Sequence, residues 1–268
     1  QWCEGLENFR RTMEKEYDLF LFLGQSNMAG RGVTSPQWPE TAPALTPGAG
    51  YEYRAVSDPG RLFPASEPFG VHENNPDGIC EPGMKTGSMV TAFINAYYAR
   101  TKIPVIGVSA SKGGSAIGQW QGDGDYLSDA LMRLERTERF LKEQEITVRH
   151  RYMLWCQGET DGDLGPSPED YKARFTNMFS QLREKGIETC FLIAIGEYNG
   201  QKGFDYSDIR RTQLELPKEL PDVVLVCDAF HTMRARGLMK DDFHYYQAAY
   251  NEVGTMAGNA AGEFVRRV

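Results

Sequence analysis

Short, uninterrupted apolar runs alternate along this chain with segments that have the period of an α-helix. The apolar runs cover residues 19–23, 104–109, 152–156, 189–195 and 223–228. Strands that are buried on both faces of a parallel sheet are typically apolar throughout rather than alternating. This pattern therefore favours a parallel sheet that is covered by helices.

Helical periodicity fills the intervals between these runs. The helical segments are predicted at residues 87–101, 126–143, 168–185, 206–216 and 247–266. The third one begins with a typical signal, because Ser167 can serve as its N-cap and Pro168 occupies the first helical position. The regular strand–helix order predicts one doubly wound domain over residues 1–268 rather than two domains.

Charge and composition exclude several function classes. A formal charge of −8 and a pI near 5.2 argue against a nucleic-acid-binding surface, which needs a basic stripe. No run approaches the roughly 20 apolar residues of a membrane span. We therefore expect a soluble protein, either cytoplasmic or secreted. The chain opens on Gln1 without a charged and apolar leader, which says little about targeting. Three of the five scattered cysteines, Cys156, Cys190 and Cys227, lie in apolar runs, which favours small buried hydrophobes. The odd number, with Cys3 and Cys80, argues against a disulfide framework.

Small and amide residues follow three of the predicted strands, and an Asp-x-x-His sequence lies near the C-terminus. The four runs are GQSNMAG at 24–30, GGSAI at 113–117, QGETD at 157–161 and DDFH at 241–244. Ligands of open parallel sheets bind at the carboxyl ends of the strands. We therefore expect these runs to meet at one edge of the sheet.

Their residue types suit acyl transfer. A serine hydroxyl is a poor nucleophile unless a base lies within hydrogen-bond reach, and a histidine held by a carboxylate is the usual base. Asp241 and His244 can both project toward Ser26 from one turn, with Asp242 as the rival carboxylate and His231 as the rival base. The backbone N–H groups of Ser26 and Gly114 and the side-chain amide of Gln157 are the predicted oxyanion donors.

The four runs, in this order, resemble the carbohydrate acetylesterase branch of the SGNH-hydrolase superfamily, namely the sialate O-acetylesterase-like proteins and the acetylxylan esterases of carbohydrate esterase family 6. The similar stretches are GQSNMAG at 24–30, GGSAI with the following Trp120, WCQGETD at 155–161 and DDFH at 241–244. The resemblance spans residues 18–244. In the third stretch, Gln157 replaces the asparagine that is common elsewhere in the superfamily.

The resemblance implies a flavodoxin-like, three-layer α/β/α fold with a central, mostly parallel five-stranded sheet. It also implies removal of O-acetyl groups from an acetylated sugar or polysaccharide, such as acetylxylan, through an acyl-enzyme without metal or other cofactor. The expected partner is thus an acetylated carbohydrate, with neither nucleic acid nor membrane. Candidate substrate-binding residues are Gln25, Asn27, Arg31, Trp120 and Glu159. For two of them a structural role is the alternative: Trp120 as a buried anchor, and Glu159 as a residue that holds its loop.

Residues 31–85 interrupt the alternation of predicted strands and helices. This stretch holds most of the chain's prolines and no convincing periodic segment, yet it contains several aromatic residues. Because loops of this length are usually functional or disordered, we expect a packed insertion that folds over or beside the site.

Two alternatives to a carbohydrate acetylesterase also remain open. One is a lipase or thioesterase of the same superfamily that acts on longer acyl esters, and the other is a non-catalytic glycan-binding relative.

Overall fold

A seven-stranded sheet lies at the centre of the computed structural model, which describes residues 15–268. Residues 1–14, which include Cys3, lie outside the described residues. The strands are β1 (Glu16–Gly24), β2 (Gly50–Tyr53), β3 (Leu62–Pro64), β4 (Val105–Ser111), β5 (Thr147–Cys156), β6 (Thr189–Ile193) and β7 (Val223–Cys227). Their order across the sheet is β3-β2-β4-β1-β5-β6-β7. All neighbours pair in parallel except β2 and β3, which are antiparallel.

Helices cover both faces of the sheet. They are α1 (Ser26–Ala29), α2 (Val90–Thr101), α3 (Asp125–Glu143), α4 (Glu159–Leu164), α5 (Pro168–Glu184), α6 (Ser207–Glu219) and α7 (Gln247–Arg266). The helices α2 and α7 pack together on one face, and α3, α5 and α6 cover the other. Within residues 15–268, no helix is both long enough and apolar enough to cross a membrane.

The central strand β1 shows why its sequence is apolar throughout. Successive side chains of a strand point to opposite faces. Leu19, Leu21 and Leu23 therefore join the core beneath α3 and α5, whereas Phe20 and Phe22 join the core beneath α2 and α7. Because helices cover both faces, each of these side chains is almost completely buried.

The sheet has seven strands, not the five predicted from sequence, because β2 and β3 lie inside the segment 31–85. These two strands are only four and three residues long, too short to show an alternating or a continuous apolar pattern. They form one edge of the sheet, and β3 ends on Pro64, a residue tolerated on edge strands. The short helix α4 was also not predicted from sequence.

The carboxyl ends of β1, β4 and β5 are bound directly to one another. The Lys112 N–H donates to Gly24 O at 2.8 Å, and the Gln25 N–H donates to Cys156 O at 3.0 Å. Gly24 has a φ of +143°, and a Cβ there would lie 2.0 Å from Cys156 O. Only glycine permits this close approach of two strand ends, which brings the three following loops together.

Buried charged groups attach the segment 31–85 to the sheet. Arg133 of α3 has no exposed surface and donates to the backbone oxygens of Glu73, Ile79 and Ser109. Lys85 is also buried, and its Nζ donates to Gly70 O and to Ser109 Oγ, both at 3.1 Å. These cations satisfy backbone oxygens that would otherwise be buried without a partner.

Lys85 gives the fold a measurable dependence on pH. Burial lowers the pKa of Lys85 to about 8 from an ordinary value of 10.5. Between these two values the unfolded chain holds a proton that the folded protein has released, so the stability rises with pH in that window. We expect the unfolding free energy of the wild type, relative to that of Lys85→Met, to rise by up to about 3 kcal/mol between pH 8 and 10.5.

Denaturant titrations of both proteins across this range measure the effect. The comparison with Lys85→Met removes the contribution of every other titrating group that the two proteins share. A difference between the two that stays constant with pH would contradict the expected release of a proton from Lys85.

Candidate active site

A cavity of about 290 Å³ lies at the carboxyl ends of the central strands. The loops after β1, β4 and β5 each contribute to its wall, as do the segment 31–85 and the loop before α7. Its lining includes Ser26, Gly114, Glu159, Glu81 and His244, one from each of these five parts of the chain. The strand order changes direction at β1, so the cavity lies where ligand sites of open α/β sheets are found.

Ser26, His244 and Asp241 form a hydrogen-bonded chain at this cavity. His244 Nε2 lies 2.9 Å from Ser26 Oγ, and His244 Nδ1 lies 3.0 Å from Asp241 Oδ2. The rival carboxylate points elsewhere, because Asp242 Oδ2 lies 3.5 Å from the hydroxyl of Tyr198. In this arrangement the imidazole can take a proton from the hydroxyl while the carboxylate holds the other ring nitrogen.

A tight loop holds His244 and Asp241 in place. Met239 and Tyr245 pair across the base of this loop, and the Lys240 N–H donates to His244 O at 3.0 Å. Partial burial alone raises the pKa of Asp241, but hydrogen bonds from the His244 side chain and from the Phe243 and His244 N–H groups outweigh it. The pKa of Asp241 is therefore held well below its ordinary value, and the residue is a carboxylate at neutral pH.

Two backbone N–H groups at the cavity are available to a ligand. Ser26 is the first residue of α1, and the first N–H groups of a helix have no partner within it. Gly114 has a φ of +71°, which favours glycine, and it lies in the turn after β4. Neither N–H is hydrogen-bonded to any other described residue.

The structure does not bring the Gln157 amide to Ser26. Gln157 has no exposed surface, and its Nε2 donates to Ser115 O at 2.9 Å and to Asp161 Oδ2 at 2.6 Å. Both amide hydrogens are therefore occupied, and Oε1 accepts from the Tyr171 hydroxyl. In this arrangement Gln157 connects the loops after β4 and β5 instead of supplying an oxyanion donor.

Asn27 and Trp120, both predicted to touch substrate, lie outside the cavity wall. Asn27 is fully buried and its Nδ2 donates to Glu159 Oε1 at 2.9 Å and to Phe243 O at 3.1 Å. It thus ties the turn that carries Ser26 to the residue next to His244. Trp120 has no exposed surface and packs edge-on against Trp155, so it is a core residue.

Gln25, Arg31 and Glu159 do line the cavity. Gln25 Oε1 accepts the Gly158 N–H at 3.0 Å, which leaves the side chain fixed between two of the loops. Burial raises the pKa of Glu159 against the opposing effect of its hydrogen bond from Asn27. The second oxygen of Glu159, Oε2, is buried and has no partner among the described residues.

Glu81, Met84 and Lys112 also line the cavity and were not identified from sequence as site residues. Glu81 forms a buried ion pair with Arg31 at 2.9 Å. It lies in the proline-rich segment, where nothing in the local sequence separates it from other acidic residues. The rival base His231 lies at a different cavity and contacts Asp228.

Known proteins resemble this chain over nearly its whole length. A family model described as carbohydrate esterase, sialic acid-specific acetylesterase, matches residues 16–263. A probable carbohydrate esterase from Arabidopsis thaliana is 28% identical over 260 residues, covering 90% of this chain and 89% of the relative. A solved structure from the same plant has a TM-score of 0.68 at 23% identity, covering 93% and 98% of the two chains. NanS has a TM-score of 0.61 at 14% identity, covering 95% and 99%.

Proposed function

Since this chain belongs to the carbohydrate esterase family of sialic acid-specific acetylesterases, we propose that it removes O-acetyl groups from sugars through an acetyl-enzyme on Ser26. The hydrogen-bonded chain from Asp241 through His244 to Ser26 is the observation that carries this proposal. The family description and the carbohydrate esterase from Arabidopsis support a sugar ester as the substrate.

Acylation uses the two short hydrogen bonds of His244. Its Nε2 takes the Ser26 proton as Oγ attacks the acetyl carbonyl carbon, and the carbonyl oxygen becomes an oxyanion. The free N–H groups of Ser26 and Gly114 donate to that oxygen. Collapse of the tetrahedral intermediate returns the proton from His244 to the sugar oxygen, which leaves as an alcohol. Asp241, a carboxylate at neutral pH, stabilises the transient imidazolium.

Deacylation repeats these steps with water in place of the serine hydroxyl. His244 takes a proton from the water as its oxygen attacks the acetyl carbon, and then returns the proton to Ser26 Oγ as acetic acid leaves. The acid then releases its remaining proton to the solvent and becomes acetate. No step transfers electrons, and each proton taken up by His244 is given back. These residues are therefore sufficient for the complete cycle.

The lining of the cavity favours a short acyl group and a polar alcohol. Among the described residues that line it, only Met84 and Phe243 have large apolar side chains. Most of the other residues that line it carry charged or polar side chains, including Arg31, Glu81 and Glu159. A long acyl chain would displace water from these groups without replacing its hydrogen bonds, which costs free energy.

We expect kcat/KM to fall as the acyl chain grows. For p-nitrophenyl esters, butyrate should react roughly 10-fold more slowly than acetate, and octanoate more slowly again, because a longer acyl chain must approach the charged side chains of the cavity. Initial rates at substrate concentrations below micelle formation measure this, with release of acetate from acetylated xylan and acetylated sialosides as the sugar counterpart. A rate that rises with chain length would contradict the assignment as an acetylesterase and would indicate a lipase-like esterase instead.

A further inference from the structure

We propose that Glu81 is a positioning residue that holds the Gly114 N–H in place to bind the oxyanion, an inference that rests on the proposed esterase function. Glu81 comes from the segment 31–85, far along the chain from the glycine turn after β4. Its side chain is only 4% exposed, although it lies at the cavity wall. A carboxylate in such a position must be paired to be tolerated.

Glu81 Oε2 is bound by two groups that flank the proposed nucleophile. It accepts the Gly113 N–H at 2.8 Å and Arg31 Nη2 at 2.9 Å. Arg31 follows the turn that carries Ser26, and Gly113 precedes Gly114. One oxygen therefore joins the loop after β1 to the loop after β4, and charge-assisted bonds of this kind are short and strong.

The turn after β4 has little freedom once Glu81 is in place. The Lys112 N–H donates to Gly24 O, and both the N–H and the hydroxyl of Ser115 donate to Lys112 O. With the Gly113 N–H bound to Glu81, every N–H from 112 to 115 has a described partner except that of Gly114. By accepting the Gly113 N–H, Glu81 thus holds the turn in a conformation in which the Gly114 N–H is free at the cavity.

Close packing makes the arrangement stiff. A Cβ on Gly113 would lie 2.5 Å from Arg31 Nη2, 2.8 Å from Glu81 Oε2 and 3.6 Å from Ser26 Cβ. A side chain at this position would therefore meet the ion pair and the serine, so only glycine fits between them. Arg31 also neutralises Glu81, which keeps an unpaired negative charge away from the position where the oxyanion develops.

The test compares Glu81→Ala with Glu81→Gln. In Glu81→Gln the amide oxygen can take the place of Oε2 and accept both short bonds, whereas Glu81→Ala leaves the Gly113 N–H without a partner. We expect Glu81→Ala to lower kcat for p-nitrophenyl acetate by roughly 100-fold, with KM within a few-fold of the wild type, because a catalytic group displaced by about 1 Å loses that much. Glu81→Gln should recover at least a tenth of the wild-type kcat.

Glu73→Ala is the matched control. Glu73 is a buried carboxylate of the same segment that accepts the Val56 and Ser57 N–H groups, and it does not line the cavity. Its loss should lower the melting temperature but leave kcat unchanged for folded protein. An equal loss of kcat in Glu73→Ala would reduce the role of Glu81 to general support of the segment, and would overturn the inference.

Other outcomes are equally decisive. Wild-type kcat in folded Glu81→Ala, or a change in KM alone, contradicts a positioning role. If Glu81→Ala does not fold, a 100-fold loss of kcat in folded Glu81→Gln contradicts it, because that variant retains the acceptor. Ser26→Ala, measured in parallel, separates the two proposals: activity retained there overturns the esterase mechanism, whereas an inactive Ser26→Ala beside a fully active Glu81→Ala overturns only the role of Glu81.

Discussion

Replacing Ser26 by alanine is expected to lower kcat/KM for p-nitrophenyl acetate by at least about 10⁴-fold. The variant loses the only hydroxyl that His244 Nε2 contacts in the described part of the chain. The backbone N–H groups and the cavity remain, so a small residual rate over the uncatalysed reaction is also expected. Steady-state kinetics on purified protein measures the loss.

The fold should be unaffected, because Ser26 Oγ makes no hydrogen bond to any described residue other than His244. Circular dichroism and the melting temperature check this point. Ser180→Ala, an exposed position in α5, serves as the matched serine control and should retain wild-type kinetics. Retention of wild-type activity in Ser26→Ala would exclude Ser26 as the nucleophile.

The adjacent residues Asp241 and Asp242 allow an internal comparison. We expect Asp241→Asn to lower kcat by about 10⁴-fold, because an amide at this position favours the wrong imidazole tautomer. Asp242→Asn should stay within a few-fold of the wild type, since Asp242 Oδ2 approaches the Tyr198 hydroxyl rather than His244. Both substitutions remove one negative charge from the same loop.

Comparing the two variants therefore distinguishes the effect of the hydrogen bond between Asp241 and His244 from the effect of the loop's negative charge. The kinetics should be measured at several pH values above neutrality, where a loss caused by the tautomer persists. Equal losses in the two variants would indicate that the loop's charge matters rather than the contact to His244. A large loss in Asp242→Asn alone would assign the orienting role to the other carboxylate.

The main strands and long helices could be predicted from sequence because their patterns depend on burial. The apolar run of β1 reflects a position between two helical layers, and α7 was predicted at its observed bounds, Gln247–Arg266. The two short strands β2 and β3 could not be predicted in this way. They are short and contribute few core residues, and β2 joins the sheet by pairing with β4, a strand distant in the chain.

Some residues of the candidate site could be predicted from sequence and others could not. Residue type and spacing indicate which groups can do chemistry, but not where an amide or a carboxylate points. Gln157 and Asn27 have polar side chains that suit a substrate, yet both use them to join loops inside the protein. Glu81 is the opposite case, because only the folded chain brings this residue of the proline-rich segment against Gly113.

The covalent state of Ser26 during turnover is the most direct test of the proposed mechanism. Enzyme mixed with p-nitrophenyl acetate is quenched in acid after milliseconds, digested and analysed by mass spectrometry. We expect one acetyl group on the peptide that contains Ser26, and none on that peptide in Ser26→Ala. An acetyl group on a different residue during productive turnover would contradict the assignment of Ser26 as the nucleophile.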